Sequence, residues 1–139
     1  MKLSSFLLLT LLALINIANA SVNNNDLQAI VELANNGKYQ EALEGHIRFH
    51  EDSKNSPGMA GVLTSFALMH WLHLSKKYPP ALDALKSIRD KDQESLLSGN
   101  GTFDNFMDFS ALNETLNEEK QTLEIFMFLD KHHPDQAKR

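Results

Sequence analysis

The chain has no cysteine, which excludes disulfides, thiolate metal sites, thiol nucleophiles and a lipid-modified amino-terminal cysteine. It has no basic run longer than Lys76-Lys77, and its net charge of −5 argues against nucleic acid as a partner. Alternation of apolar and polar residues with β-branched or aromatic enrichment, the mark of a half-buried strand, is missing from the body of the chain. Catalytic grammar is equally scarce. No glycine-flanked serine forms a nucleophile elbow, no His-Glu-x-x-His run exists, and a carboxylate pair such as Glu118-Glu119 reads as a solvated helix start rather than a cleft. The expectation is a noncatalytic helical protein, not an enzyme, with no cofactor.

Residues 1–20 carry a short basic start at Lys2, an apolar stretch from Phe6 to Ile17 interrupted by Thr10 and Asn16, and then Ala18-Asn19-Ala20. That apolar stretch is shorter than the roughly 20 residues a membrane span needs. The order is that of a secretory signal peptide, with cleavage expected between Ala20 and Ser21. The product would keep no stable membrane anchor and would be periplasmic or secreted. Loss of Lys2 takes its net charge from −5 to −6. An exported chain without cysteine suits a bacterial periplasm better than a disulfide-rich secretome. Residues 21–25 are expected to be a disordered polar spacer, followed by one helical domain over 26–139.

From Asp26 onward apolar residues recur at three and four positions, the period of amphipathic helices. Leu27, Ile30, Val31 and Ala34 form the first stripe, opened by Asn25 or Asp26 as a cap and closed by Asn36-Gly37. A second helix is predicted from Tyr39 to Ser53, with His46 and His50 on or near its inner face. Asn55-Ser56-Pro57-Gly58 breaks the chain, and a third helix from Met59 to Lys76 is the most apolar segment and therefore central. Tyr78-Pro79-Pro80 ends it and starts a fourth, whose polar end from Asp90 to Glu94 is expected to fray. Thr102 caps a fifth helix, Asn117-Glu118-Glu119 opens a sixth, and Pro134 begins a single turn of a seventh.

An internal repeat runs through these pairs. Ala34 to Leu43 can be laid over His73 to Leu82 by a shift of 39 residues, which places Tyr39 on Tyr78 and Ala42 on Ala81. A third copy, 41 residues further, puts Thr122 in the alanine position, followed by Phe126, Leu129 and Pro134. The pattern resembles the tetratricopeptide repeat over about residues 26–134: Gly-x-Tyr at the helix junction, a small residue early in the second helix, and a closing proline. It departs from that family in lacking the first-helix tryptophan and Leu-Gly, in holding His46 and Leu85 at the aromatic position, and in running to about forty residues instead of thirty-four. The Pro57-Gly58-Met59 and Tyr78-Pro79-Pro80 turns also resemble those of exported bacterial proteins, which supplies no activity. The fold implied is all-α, with antiparallel helix pairs stacked as a short tetratricopeptide-like right-handed superhelix.

In that family the first helices of successive pairs line a concave face that holds peptides or protein segments. Carried over residue by residue, the face comprises Leu27, Val31 and Ala34, then Phe66, His70 and His73, then Met107, Ala111 and Glu114. The resemblance implies a protein-binding adaptor or assembly module of the bacterial cell envelope. No Lys or Arg clamp is present on this face to hold a terminal carboxylate. A second reading rests on histidine spacing: His46 and His50 lie four apart and His70 and His73 three apart, spacings that could converge on a metal or small ligand. Asn100-Gly101-Thr102 and Asn113-Glu114-Thr115 match the N-glycosylation pattern, a loose motif without meaning in a bacterial protein. The leader gives the most direct check at this stage. Mass spectrometry of the exported product should show Ser21 as the first residue, and a product retaining Phe6 to Ile17 would make the chain membrane-anchored instead.

Overall fold

The computed structural model describes residues 21–137, so the expected leader over 1–20 and the final two residues lie outside the described part. The expected cleavage between Ala20 and Ser21 falls at that boundary and lies outside the described residues as well. Seven helices follow in order: α1 (Asn24–Asn35), α2 (Tyr39–Ser53), α3 (60–75), α4 (Pro80–Leu97), α5 (Phe103–Leu116), α6 (Glu119–His132) and α7 (Pro134–Ala137). α3 is α-helical over Ala60–Val62 and Leu68–Ser75 and π-helical over Leu63–Ala67 between them. No strand occurs among the described residues.

The ends of the helices follow from their side chains. Asn23, not Asn25 or Asp26, caps α1: its Oδ1 accepts from the Asn25 N–H at 2.8 Å, and the Asp26 carboxylate accepts from the Asn23 N–H at 2.8 Å. Val22 packs against the core and donates its N–H to Ser56 Oγ at 3.2 Å. The expected spacer over 21–25 is therefore corrected, because the capping box and this packing recruit Val22 to Asn25 into the fold. Gly37, with φ +76°, ends α1 in the left-handed region that glycine adopts without steric cost. α2 has the predicted bounds, and α5 starts at Thr102, whose Oγ1 accepts from the Asn105 N–H at 3.2 Å.

Each helix packs on its successor, and in addition α3 packs on α5 and α4 on α6. One core cluster joins α1 through α5, and a smaller one of Leu96, Phe109, Ile125 and Leu129 joins α4, α5 and α6. Ala42 and Ala81, equivalent in the repeat, are both fully buried, and the rings of the equivalent tyrosines Tyr39 and Tyr78 stack with centroids 6.2 Å apart. Gly45 allows the tightest approach of α1 to α2: a Cβ there would stand 2.8 Å from Ile30 Cγ1.

Trp71 sits at the junction of α2, α3 and α4. It is buried, donates its indole N–H to the Ala81 carbonyl at 3.0 Å, stacks on His46 at 5.5 Å with a 17° interplanar angle, and meets His50 edge-on at 6.1 Å. α2, α3 and α4 thus meet on one side chain. The polar end of α4 does not fray. Arg89 and Asp92 point inward there and are held by polar groups of α5 and its neighbours, so the helix continues unbroken to Leu97.

Candidate functional site

Two features stand out from the packed interior: a buried polar cluster where α2, α4 and α5 meet, and a row of clefts along α3, α5 and α6.

The cluster is built from His50 and Lys54 of α2, Asp92 of α4, and Asn105 and Asp108 of α5. One face of α2 carries both His50 and Lys54 because they are four residues apart. His50 Nε2 lies 2.9 Å from Asp108 Oδ1, and Lys54 Nζ forms an ion pair with Asp108 Oδ2 at 2.7 Å. Asn105, the residue that completes the capping box of α5, donates from Nδ2 to Asp92 Oδ1 at 2.7 Å. Asp92 and Asp108 are each only 4% exposed, and Asp92 lies within hydrogen-bonding reach of Asp108. Asp92 Oδ2 receives no hydrogen bond from a donor among the described residues, whereas Asp108 Oδ2 faces the Lys54 ammonium.

Two buried carboxyls in contact cannot both carry full charge cheaply, so one holds a proton more tightly. Burial pushes the Asp92 carboxyl up, with Asp108 adding to the rise against the Asn105 hydrogen bond, to about 6. Burial also acts to raise Asp108, but the hydrogen bond and charge of His50, with Lys54, outweigh it and hold Asp108 low, at about 2. Of the two, Asp92 takes up the proton, below about pH 6, while Asp108 stays a carboxylate. A small cleft of about 250 Å³ opens beside them, lined by His50, Lys54, Lys91, Asp92 and Asn105 among others.

A second polar knot holds the far end of the same helices. The buried Arg89 guanidinium donates to Asn113 Oδ1 at 3.4 Å and pairs with Glu118, while Asn113 donates to Thr122 Oγ1 at 3.0 Å. Asn113 is fully buried within α5, which leaves its glycosylation motif inaccessible.

The histidines do not assemble as one site. His46 and His50 are 2% exposed and pack around Trp71; His70 is half-buried and His73 exposed on α3. Burial lowers His46 to about 4, with the nearby His70 charge acting in the same direction, and its Nδ1 has no partner among the described residues. It is a neutral core ring in the aromatic position of the repeat. Among the described residues no group of three or more His, Asp or Glu side chains is placed to hold a metal ion. The candidate metal residues His46, His50, His70 and His73 form no such group there.

The expected groove is partly present and shifted. Leu27 and Ala111 belong to the core, Val31, Ala34 and His70 are half-buried, and Phe66, His73, Met107 and Glu114 are exposed. The cleft between α3 and α5, about 290 Å³, is lined by Thr64, Ser65, Met69, Leu72, Glu114 and Thr115. On α3 the expected Phe66, His70 and His73 are thus replaced by Ser65, Met69 and Leu72, each one position earlier. On α5 the cleft-lining residues are Phe106, Ser110 and Glu114 where Met107, Ala111 and Glu114 were expected. Leu27 and Ala111 are corrected to core positions because each faces its neighbouring helix.

The α3/α5 cleft shares Glu114 with a cleft of about 410 Å³ between α5 and α6, which in turn shares Phe106 and Phe126 with one of about 320 Å³ beside Phe103 and Leu129. The three adjoin. Their ionisable lining residues are Asp104, Glu114 and Glu119, all acidic.

The chain matches no family model, no curated protein and no solved structure. Its geometry has to speak for itself. No helix among the described residues is long and apolar enough to cross a membrane.

The carboxyl pair has a pH signature. Folded Asp92 titrates at about 6 against 3.8 as its ordinary value, so its favourable contribution is complete below pH 3.8 and is lost as pH rises through about 6. Asp92→Asn keeps an N–H for Asp108 and an acceptor for Asn105 without titrating. The variant should exceed the wild type in stability by about 1 to 3 kcal/mol above pH 6, with the gap closing towards pH 4. Denaturant melts at both ends of that window check it; a gap independent of pH would contradict the pairing.

Proposed function

We propose that this chain is a noncatalytic protein-binding module, an adaptor or assembly factor exported to the bacterial cell envelope, which grips a partner segment along α3, α5 and α6. The row of three adjoining clefts carries the reading. Their walls combine exposed or half-buried apolar groups, Met69, Leu72, Phe106, Leu123 and Phe126, with carboxylates only. Such a surface complements an extended or helical segment with large apolar side chains interleaved with Lys or Arg, because like-charged segments would be repelled at Glu114 and Glu119.

The arrangement of helix pairs as a tetratricopeptide-like superhelix belongs to the same proposal. It is supported by the burial of Ala42 and Ala81 at equivalent positions, by the Tyr39–Tyr78 stack, and by the packing of α3 on α5 and α4 on α6. Export rests on the leader-like residues 1–20. A periplasmic or secreted setting follows from that leader alone.

A random peptide library screened on the purified protein tests the docking surface. Apolar-basic segments should be enriched, and Glu114→Lys should weaken them at least about tenfold, the factor carried by about 1.4 kcal/mol. Melting should barely change, since exposed substitutions usually move stability by less than about 0.5 kcal/mol. Enrichment of acidic segments, no enrichment, or unaltered binding by the variant would each contradict the proposal.

A further inference from the structure

α6 is the last long helix of the stack, and one of its sides is uncovered. Ile125 and Leu129 face the core, whereas Lys120, Leu123, Met127 and Asp130 recur at three and four residues along the opposite side, all exposed. Leu123 and Met127 are 59% and 62% exposed. The line is apolar in its middle and oppositely charged at its two ends. Glu124 and Lys131 flank it, also exposed.

We infer that this face docks on the same face of a second copy of the chain, as an antiparallel two-fold contact of α6 on α6. The charge order selects both the occupant and the direction. With the two-fold axis at Ile125, Leu123 of each copy meets Met127 of the other, and Lys120 of each meets Asp130 of the other. By symmetry each contact occurs twice, as an isologous interface requires. A parallel arrangement would set Lys120 on Lys120 and Asp130 on Asp130, which is repulsive. A partner of different sequence would not call for this reversal of sign about the centre of the helix.

Energetically the contact is modest. The exposed ion pairs fix direction and register more than they add affinity. One pair of helices of this length buries less than the roughly 1,200 Å² typical of stable interfaces, so the dimer is concentration-dependent. Within the chain Lys120 already lies 3.6 Å from Glu124, leaving its ammonium 88% exposed and free to reach across. The line borders the α5/α6 cleft at Leu123 but excludes Glu114. Glu114→Lys therefore leaves self-association unchanged, which separates this contact from the docking of a partner segment.

Sedimentation equilibrium of the mature chain, carried to several hundred micromolar, should show a reversible monomer–dimer equilibrium. Leu123→Lys should lower the association constant at least about tenfold, as should Lys120→Glu alone and Asp130→Lys alone. Mixing the two singly reversed chains should restore association, since Glu then faces Lys at one end and Asp faces Lys at the other. All three positions are exposed, and circular dichroism verifies that the variants stay folded. A wild type that remains monomeric throughout, a dimer indifferent to Leu123→Lys, or a mixture no more associated than either variant alone would overturn the inference.

Discussion

The junction of α2, α3 and α4 depends on one buried side chain. Trp71 joins its own helix to α4 through the indole N–H on the Ala81 carbonyl, and to α2 through its contacts with His46 and His50. That hydrogen bond answers the indole's need for a partner in the interior. It also places the tryptophan against the fully buried Ala81, where any larger side chain would have to displace it. His46 can stack there only as a neutral ring, because burying a charged imidazole without a counterion is costly. The low affinity of His46 for protons is thus a consequence of the packing.

The second half of the molecule is tied together differently. Around α5 the inward-facing groups include Asp108 and Asn113, satisfied by His50 and Lys54 on one side and by Arg89 and Thr122 on the other. These contacts link α5 to α2, α4 and α6, a span the apolar clusters alone divide into two. Buried polar networks are specific because each group accepts few partners, and costly when one is removed. The Asp92–Asp108 pair is the stressed member. One shared proton lets two carboxyls lie together, and the fold takes on a dependence on pH for that reason. With the polar groups occupied internally, the α3, α5 and α6 face is left with exposed methionines and aromatics beside carboxylates, the composition from which its binding role is argued.

Much of this architecture was legible from residue spacing. The glycine after α1, the Tyr-Pro-Pro junction, Thr102 as a cap and the one-turn α7 all act locally, so their signals survive in a single sequence. Ala42 and Ala81, matched by the spacing, are both buried and Tyr39 stacks on Tyr78, which supports the proposed repeat register. The start of α1 was misplaced because three consecutive asparagines can each cap a helix, and only the Asp26 return bond and the packing of Val22 select Asn23. The π turn at Leu63–Ala67 left no mark on the apolar period. Arg89, Asp92, Asp108 and Asn113 escaped notice for a simpler reason: polar residues at helical spacing read as solvent-facing until their partners, distant in sequence, are known. A cue did exist in Asp108, placed between Met107 and Phe109 on the apolar fifth helix.

The central claim is that a neutral His46 is stacked on Trp71 at the junction of the first two helix pairs. A residue-resolved NMR titration of the six histidines addresses it directly. The account predicts that the His46 ring stays neutral far below its ordinary 6.5, with a midpoint near about 4, and shows close contacts to the Trp71 indole throughout. A His46 midpoint near 6.5, or the absence of those contacts in the folded protein, would contradict it.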